Sequence, residues 1–199
     1  MVDPIPVRRG RPGYDRAQVL AIAVALFNEQ GYDATSVADV AARLSLSKSA
    51  LYHHFDSKEQ LLALALDEAL SGLEGVLDAP AASAGSAAER LAAVLHGAVA
   101  VLVDRLPYVT LLLRVRGNSV IERTALDRRR AFDHRVTALV EEAQRDGLVR
   151  DDLDGAVATR LVFGMVNSLV EWYRPGGPVD AERLAHDVVA VSLDGMRTR

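Results

Sequence analysis

From residue 16 onward apolar residues recur at the spacing of a single helix face, and no stretch alternates long enough to make a half-buried strand. A chain patterned this way has to bury helices against helices, so the expected fold class is all-α. Val19, Ile22, Ala23, Leu26 and Phe27 form the first stripe, and Gly31 stands where that helix would stop. Ser36 with Asp39 three residues on has the form of a capping box, Asp standing in for Glu, ahead of the stripe Val37, Val40, Ala41 and Leu44. A third short helix is predicted from about Ser47 to His53, and Ser57 is placed to cap a longer fourth one. The stretch 78–89 is small, carries Pro, Gly and Ser, and reads as a loop and a natural place to divide the chain. Helices are then predicted at about 87–104, 107–116, 119–146, 155–173 and 180–197, with "RPGGP" turning between the last two. No internal repeat is present.

The second and third helices, short and separated by about three residues, make a helix-turn-helix candidate. Turning about 100° per residue from Leu51 leaves Ser47, Lys48, His54 and Phe55 within about 60° of it, and Ser49, Ala50, Tyr52 and His53 on the outer arc. Small and hydrogen-bonding groups on that arc suit close approach to a DNA groove, with Lys48 at its edge. Lys58 would add a second cation near the same phosphates. Its rival is a plain solvated surface. The doublet His53–His54 does not suit a metal, because ligands on one helix converge at spacings of three or four, not one. His53 is expected to face outward with Tyr52, and His54 to pack or cap at the helix end. His96, His134 and His186 are isolated in sequence, and each is expected to be a surface or satisfied core histidine.

Charge is spread unevenly, which bears on the same question. Residues 1–58 hold seven Lys/Arg and six Asp/Glu, whereas residues 59–199 hold sixteen and twenty-one, so the acidic excess lies in the larger part. Residues 1–13 read as a flexible basic arm in which Arg9 and Arg11 flank Gly10 and precede Pro12, the core of an AT-hook that enters an A·T minor groove; the alternative is a solvated tail. The only lysines are Lys48 and Lys58. With no cysteine, disulfides and thiolate zinc sites are excluded. The N-terminal residues lack an apolar signal region and no apolar run is membrane-length, so a cytoplasmic protein without membrane contact is expected, with no cofactor or metal.

The stretch "GYDATSVADVAARLSLSKSALYHHFDSKEQLLALAL", together with the helix before it, resembles the DNA-binding domain of the TetR (tetracycline repressor) family over residues 14 to about 70. The resemblance implies an N-terminal three-helix helix-turn-helix domain, residues 14–57, and a C-terminal helical ligand-binding and dimerisation domain, residues 58–199. It implies a homodimer that binds double-stranded operator DNA, blocks a promoter, and lets go when a small-molecule effector enters the second domain. Carried over by position, the DNA contacts would be Ser36, Ser47, Lys48, Ser49, Tyr52, His53 and Lys58, beside Arg9 and Arg11 of the arm. Ser45 departs from the pattern, which has glycine in the turn. A left-handed conformation there would cost a serine modest strain.

In the family resembled, the last two helices pair with their symmetry mates in a four-helix bundle. Val162, Met165 and Leu169 on one, and Leu184, Val188, Val191 and Gly195 on the other, are the candidate interface, with an intramolecular core as the alternative. The segment 105–136 mixes an apolar run with arginines at 114, 116, 123 and 128–130. Guanidinium groups beside an apolar cavity would suit an amphiphilic anion such as an acyl-CoA thioester; the alternative is that Arg128–Arg130 form a solvated face paired with Asp127 and Asp133. Candidate pocket residues are Tyr108, Leu112, Arg116, Phe163, Asn167, Glu171 and Trp172. Two rival functions remain: a helical interaction module without specific DNA binding, and a small all-α enzyme. The second finds no nucleophile–base pair, phosphate loop or metal spacing to support it.

Overall fold

Asp15 and Gln18 start the first helix by exchanging hydrogen bonds: Gln18 N donates to Asp15 Oδ1 at 2.7 Å and Asp15 N to Gln18 Oε1 at 3.0 Å. In the computed structural model, which describes residues 14–197, helix α1 runs Arg16–Gln30 and ends at Gly31, whose φ of 90° a side chain would resist. The Thr35 hydroxyl, buried, donates to Gly31 O at 2.8 Å and so satisfies a carbonyl left over at that end. Ser36 caps α2, Val37–Arg43, through the expected box with Asp39. α2 then closes on a Schellman motif: Leu46 N donates to Ala41 O at 2.9 Å and Ser45 N to Ala42 O at 3.0 Å. Ser45 therefore takes the left-handed position, φ 54°, as the sequence suggested.

Helix α3, Lys48–Tyr52, is shorter than expected, and α4 spans Lys58–Asp78 with Ser57 Oγ accepting from Gln60 N at 3.1 Å. A single 3-10 turn, Pro80–Ala82, occupies the 78–89 loop. There follow α5 (Ala87–Asp104), α6 (Leu106–Arg114), α7 (Val120–Arg145), α8 (Gly155–Trp172) and α9 (Ala181–Met196). Among the described residues no strand forms, and the one β-bridge is the isolated pair Val149 and Arg197. Every long helix is thus where the spacing put it, to within a residue or two.

The chain divides into two compact units between Leu61 and Leu62, inside α4, and not at the 78–89 loop. That loop separates helices of one and the same core. The first unit closes around Val19, Ala23, Val24, Phe27, Val40, Leu51 and Phe55. Leu20 and Val24 are buried in addition to the expected stripe, whereas Ile22 is half-buried, so α1 is covered over a wider arc than one face. In the second unit α5 is the central helix, its Leu91, Val94, Leu95, Ala98 and Leu102 buried, with α7 and α9 packed on it.

Candidate DNA interface and effector cavity

Leu51 fixes the rotation of α3. Its side chain is buried, as is Phe55, while Ser49, Tyr52 and His53 of the outer arc are exposed, Tyr52 at 44% accessible, and so are Ser47 and Lys48 at the start of the helix. Ser47 Oγ caps the helix by accepting from Ala50 N at 3.1 Å and lies 3.0 Å from Ser49 Oγ. Lys48 Nζ stands 5.9 Å from the centre of the Tyr52 ring, so cation and ring form one exposed patch. The two histidines diverge as their 100° separation requires: His53 is exposed and His54 half-buried.

Two of the expected contact residues are committed to the scaffold. The Ser36 hydroxyl and N–H donate to Asp39 Oδ2 at 2.6 and 2.7 Å, holding the Asp39 carboxyl below the usual carboxylate range. Lys58 is not presented as a loose cation. Its ammonium donates to Tyr32 O at 2.8 Å and Thr35 O at 2.9 Å and sits 4.2 Å from the centre of the Tyr32 ring. Those carbonyls belong to the α1–α2 connection, which has too few helical donors of its own, and a lysine reaching across from α4 satisfies them. Arg9 and Arg11 lie outside the described residues.

In the second unit, α4, α5, α6, α7 and α8 surround a narrow apolar cavity of about 30 Å³, lined among others by Leu73, Leu102, Leu112, Phe132, Phe163 and Val166. Phe132 and Phe163 meet edge to face across it, ring centres 5.3 Å apart. Three polar side chains share its wall: Arg129, Asp133 and Asn167. Arg129 and Asn167 also line a wide open basin of about 640 Å³, together with Thr110, Arg114, Arg116 and Glu171. Asp133 also lines a groove of about 320 Å³ with His134, Thr137, Thr159 and Arg160. Burial pushes the Asp133 carboxyl above its ordinary value, against the pull of Arg129, His134 and Arg160.

Of the expected pocket residues, Leu112, Phe163 and Asn167 line the cavity, and Arg116, Asn167 and Glu171 the basin. Tyr108, half-buried on α6, lines none of the three hollows. Trp172 lines none of them either: it lies at the exposed end of α8, 50% accessible. Arg128 serves neither a phosphate nor Asp133; it donates to both carboxylate oxygens of Glu74 at 2.8 and 2.7 Å and to Asp67 Oδ1 at 2.8 Å, tying α7 to α4. Arg130 does pair with Asp127. Two groups escaped the sequence reading: Asp133 as a cavity residue, and Glu122. The buried Glu122 carboxylate accepts from the backbone N–H of Arg116, Gly117 and Asn118 at 3.0, 2.8 and 2.9 Å, and so shapes the loop that carries Arg116 to the basin.

The expected interface residues split in two. Leu169, at 1% accessible, and likewise Leu184 and Val188, face the interior of their own unit and cannot meet a partner. Val191, at 65%, and Gly195 are exposed on α9, while Val162 and Met165 are half-buried. The outward stripe of α8 is instead Val157, Leu161, Gly164, Ser168 and Trp172, at helical spacing, with Leu161 68% accessible. Among the described residues no three His, Cys, Asp or Glu side chains are grouped to hold a metal, and no single helix is long and apolar enough to cross a membrane.

Comparison with known proteins matches residues 19–65 to the bacterial regulatory proteins of the tetR family and residues 84–196 to the tetracyclin repressor-like C-terminal domain. The HTH-type transcriptional repressor KstR2 of Rhodococcus jostii (strain RHA1) is 30% identical over 191 residues, 91% of this chain and 90% of that protein. Among solved structures, the TetR-family regulator SCO3833 of Streptomyces coelicolor A3 is 49% identical with a TM-score of 0.85, covering 90% of this chain and 91% of the other. AibR, solved in complex with isovaleryl coenzyme A and operator DNA, is 25% identical with a TM-score of 0.75 over 89% of this chain and 97% of its own. By the match to both halves and the near full-length likeness to these regulators, the chain belongs to the TetR family of transcriptional regulators.

Proposed function

We propose that this regulator is a repressor that binds a palindromic operator as a homodimer and is released by an acyl-CoA thioester. The observation that carries the reading is that a narrow apolar cavity and a basin lined by Arg114, Arg116 and Arg129 share Arg129 and Asn167 in their walls. An acyl chain suits the first and the phosphates of coenzyme A the second. The exposed Ser47, Lys48, Ser49, Tyr52 and His53 of α3 and its cap supply the DNA-facing groups, few of them charged, so that a groove can be approached closely. In a homodimer, two such helices about 34 Å apart, one turn of B-DNA, would read successive major grooves of a palindrome. The relatives favour the same reading: KstR2 is named as a repressor, and AibR was crystallised with an acyl-CoA and its operator.

Coupling follows from the size of the cavity. At about 30 Å³ it holds no acyl chain until its walls part, and α7, one of those walls, carries Arg128, which grips Asp67 and Glu74 of α4. Entry of a ligand would thus move a helix bonded to α4, and α4 begins at Lys58, which holds the α1–α2 connection.

The test is a fluorescence anisotropy titration with a labelled duplex from the gene's own upstream region. Tight binding that falls steeply with salt and weakens at least about tenfold in Lys48→Ala is expected. Equal, weak affinity for this duplex and for a scrambled one at low salt would instead support an interaction module without specific DNA binding.

A further inference from the structure

Arg129, Asp133 and Asn167 are the polar exceptions on the wall of an otherwise apolar cavity. None of their side chains has a hydrogen-bond partner among the described residues. Each is half-buried and keeps water until something displaces it, and a ligand that displaced that water without replacing its hydrogen bonds would cost about 1–3 kcal/mol. Glu122 and Arg128 of the same unit, by contrast, are bonded within the chain: Glu122 accepts three N–H groups, and Arg128 makes a two-pronged bond to Glu74. The three unpaired groups converge on one short stretch of cavity. Arg129 and Asp133 are one turn apart on α7, and Asn167 on α8 lines the same space.

Their chemistry is complementary in a specific way. Arg129 offers only donors, a carboxylate at Asp133 only acceptors, and Asn167 both. A ligand group that answers all three must both donate and accept, which a hydroxyl does and a ketone or methylene does not. Position follows from which hollows each residue lines. Arg129 and Asn167 stand at the junction of cavity and basin, where a thioester carbonyl would sit if the coenzyme occupies the basin. Asp133 lines the cavity but not the basin, so it lies beyond that carbonyl, along the first carbons of the chain.

We propose that Arg129, Asp133 and Asn167 form a hydrogen-bonding subsite for a hydroxyl on the third carbon of the acyl chain, so that the effector class is a short 3-hydroxyacyl thioester. This rests on the acyl-thioester reading above and adds to it the oxygen on the chain. Shortness follows from the narrow cavity, which a few carbons can open and a long chain would disrupt.

Isothermal titration calorimetry of the full-length protein with hexanoyl-CoA, 3-hydroxyhexanoyl-CoA, hexanoate and 3-hydroxyhexanoate separates the two claims. The subsite predicts that the hydroxyl tightens binding at least about tenfold within a pair, because its absence leaves the three groups unpaired. Asp133→Leu should abolish that preference and Asp133→Asn should keep part of it; if Asp133→Leu fails to fold, Asn167→Leu serves in its place. Equal affinity for hexanoyl-CoA and 3-hydroxyhexanoyl-CoA in the wild type overturns the subsite and leaves the thioester reading standing. A hydroxyl preference with no gain from coenzyme A upholds the subsite and overturns the thioester reading. Binding of none of the four overturns both.

Discussion

Two single residues carry measurable cost in this fold. Ser45 occupies the left-handed position of the Schellman motif that closes α2, with φ 54° and no glycine to make it free. Ser45→Gly is expected to raise stability by about 1 kcal/mol, read as a shift in the urea midpoint with unchanged slope. No change, or a loss, would mean the entropy gained by the unfolded chain outweighs the relieved strain. Asp133 carries a cost of a different kind, because burial penalises its charge despite Arg129, His134 and Arg160 nearby. Its folded pKa lies above the ordinary 3.8, so the folded state prefers the proton and the penalty grows as pH rises through that value and beyond. Asp133→Asn should therefore raise Tm at pH 7 and leave it unchanged near pH 3. An equal gain at both pH values would place the effect in packing and not in charge.

At the scale of elements, much was legible because helices announce themselves by period and cap. The box at Ser36, the cap at Ser57, the stop at Gly31 and the stripe of α1 all follow from local chemistry within four residues. What was not legible depends on longer reach. Ser119 and Glu122 have the spacing of a capping box, yet the Glu122 carboxylate turns away to the N–H groups of residues 116–118. Arg128 finds Glu74 and Asp67 more than fifty residues away, a choice no local pattern encodes. On α8 apolar residues lie on both sides, so period alone could not say that Val166 and Leu169 face inward and Leu161 outward. Glu122 is the element-scale test. Glu122→Ala would strip a buried acceptor from three backbone donors and is expected to cost about 2–4 kcal/mol in denaturant unfolding, with faster amide exchange at residues 116–118. Retained protection there would mean that water replaces the carboxylate.

For the whole molecule, the exposed face of α3 was legible in sequence because it lies in a short contiguous segment, Ser47 to His53, whose rotation Leu51 sets. The apolar cavity was read only in part, since it is assembled from α4, α5, α6, α7 and α8, and the residues that face into it are decided by packing between distant stretches. The homodimer proposed above belongs to this scale as well. Leu161→Asp, on the exposed stripe of α8, is expected to convert the protein to a monomer in light scattering while leaving its helical circular dichroism unchanged, because a charge buried against its twin cannot be desolvated cheaply. A dimer that persists would move the interface elsewhere. The most direct test of the account is release of the protein from its operator. In an equilibrium complex with the labelled upstream duplex, added 3-hydroxyhexanoyl-CoA should return the anisotropy to that of free DNA for the wild type, and Arg129→Ala should need at least about tenfold more ligand for the same release. An operator complex that acyl-CoA thioesters leave intact, in wild type and variant alike, would contradict it.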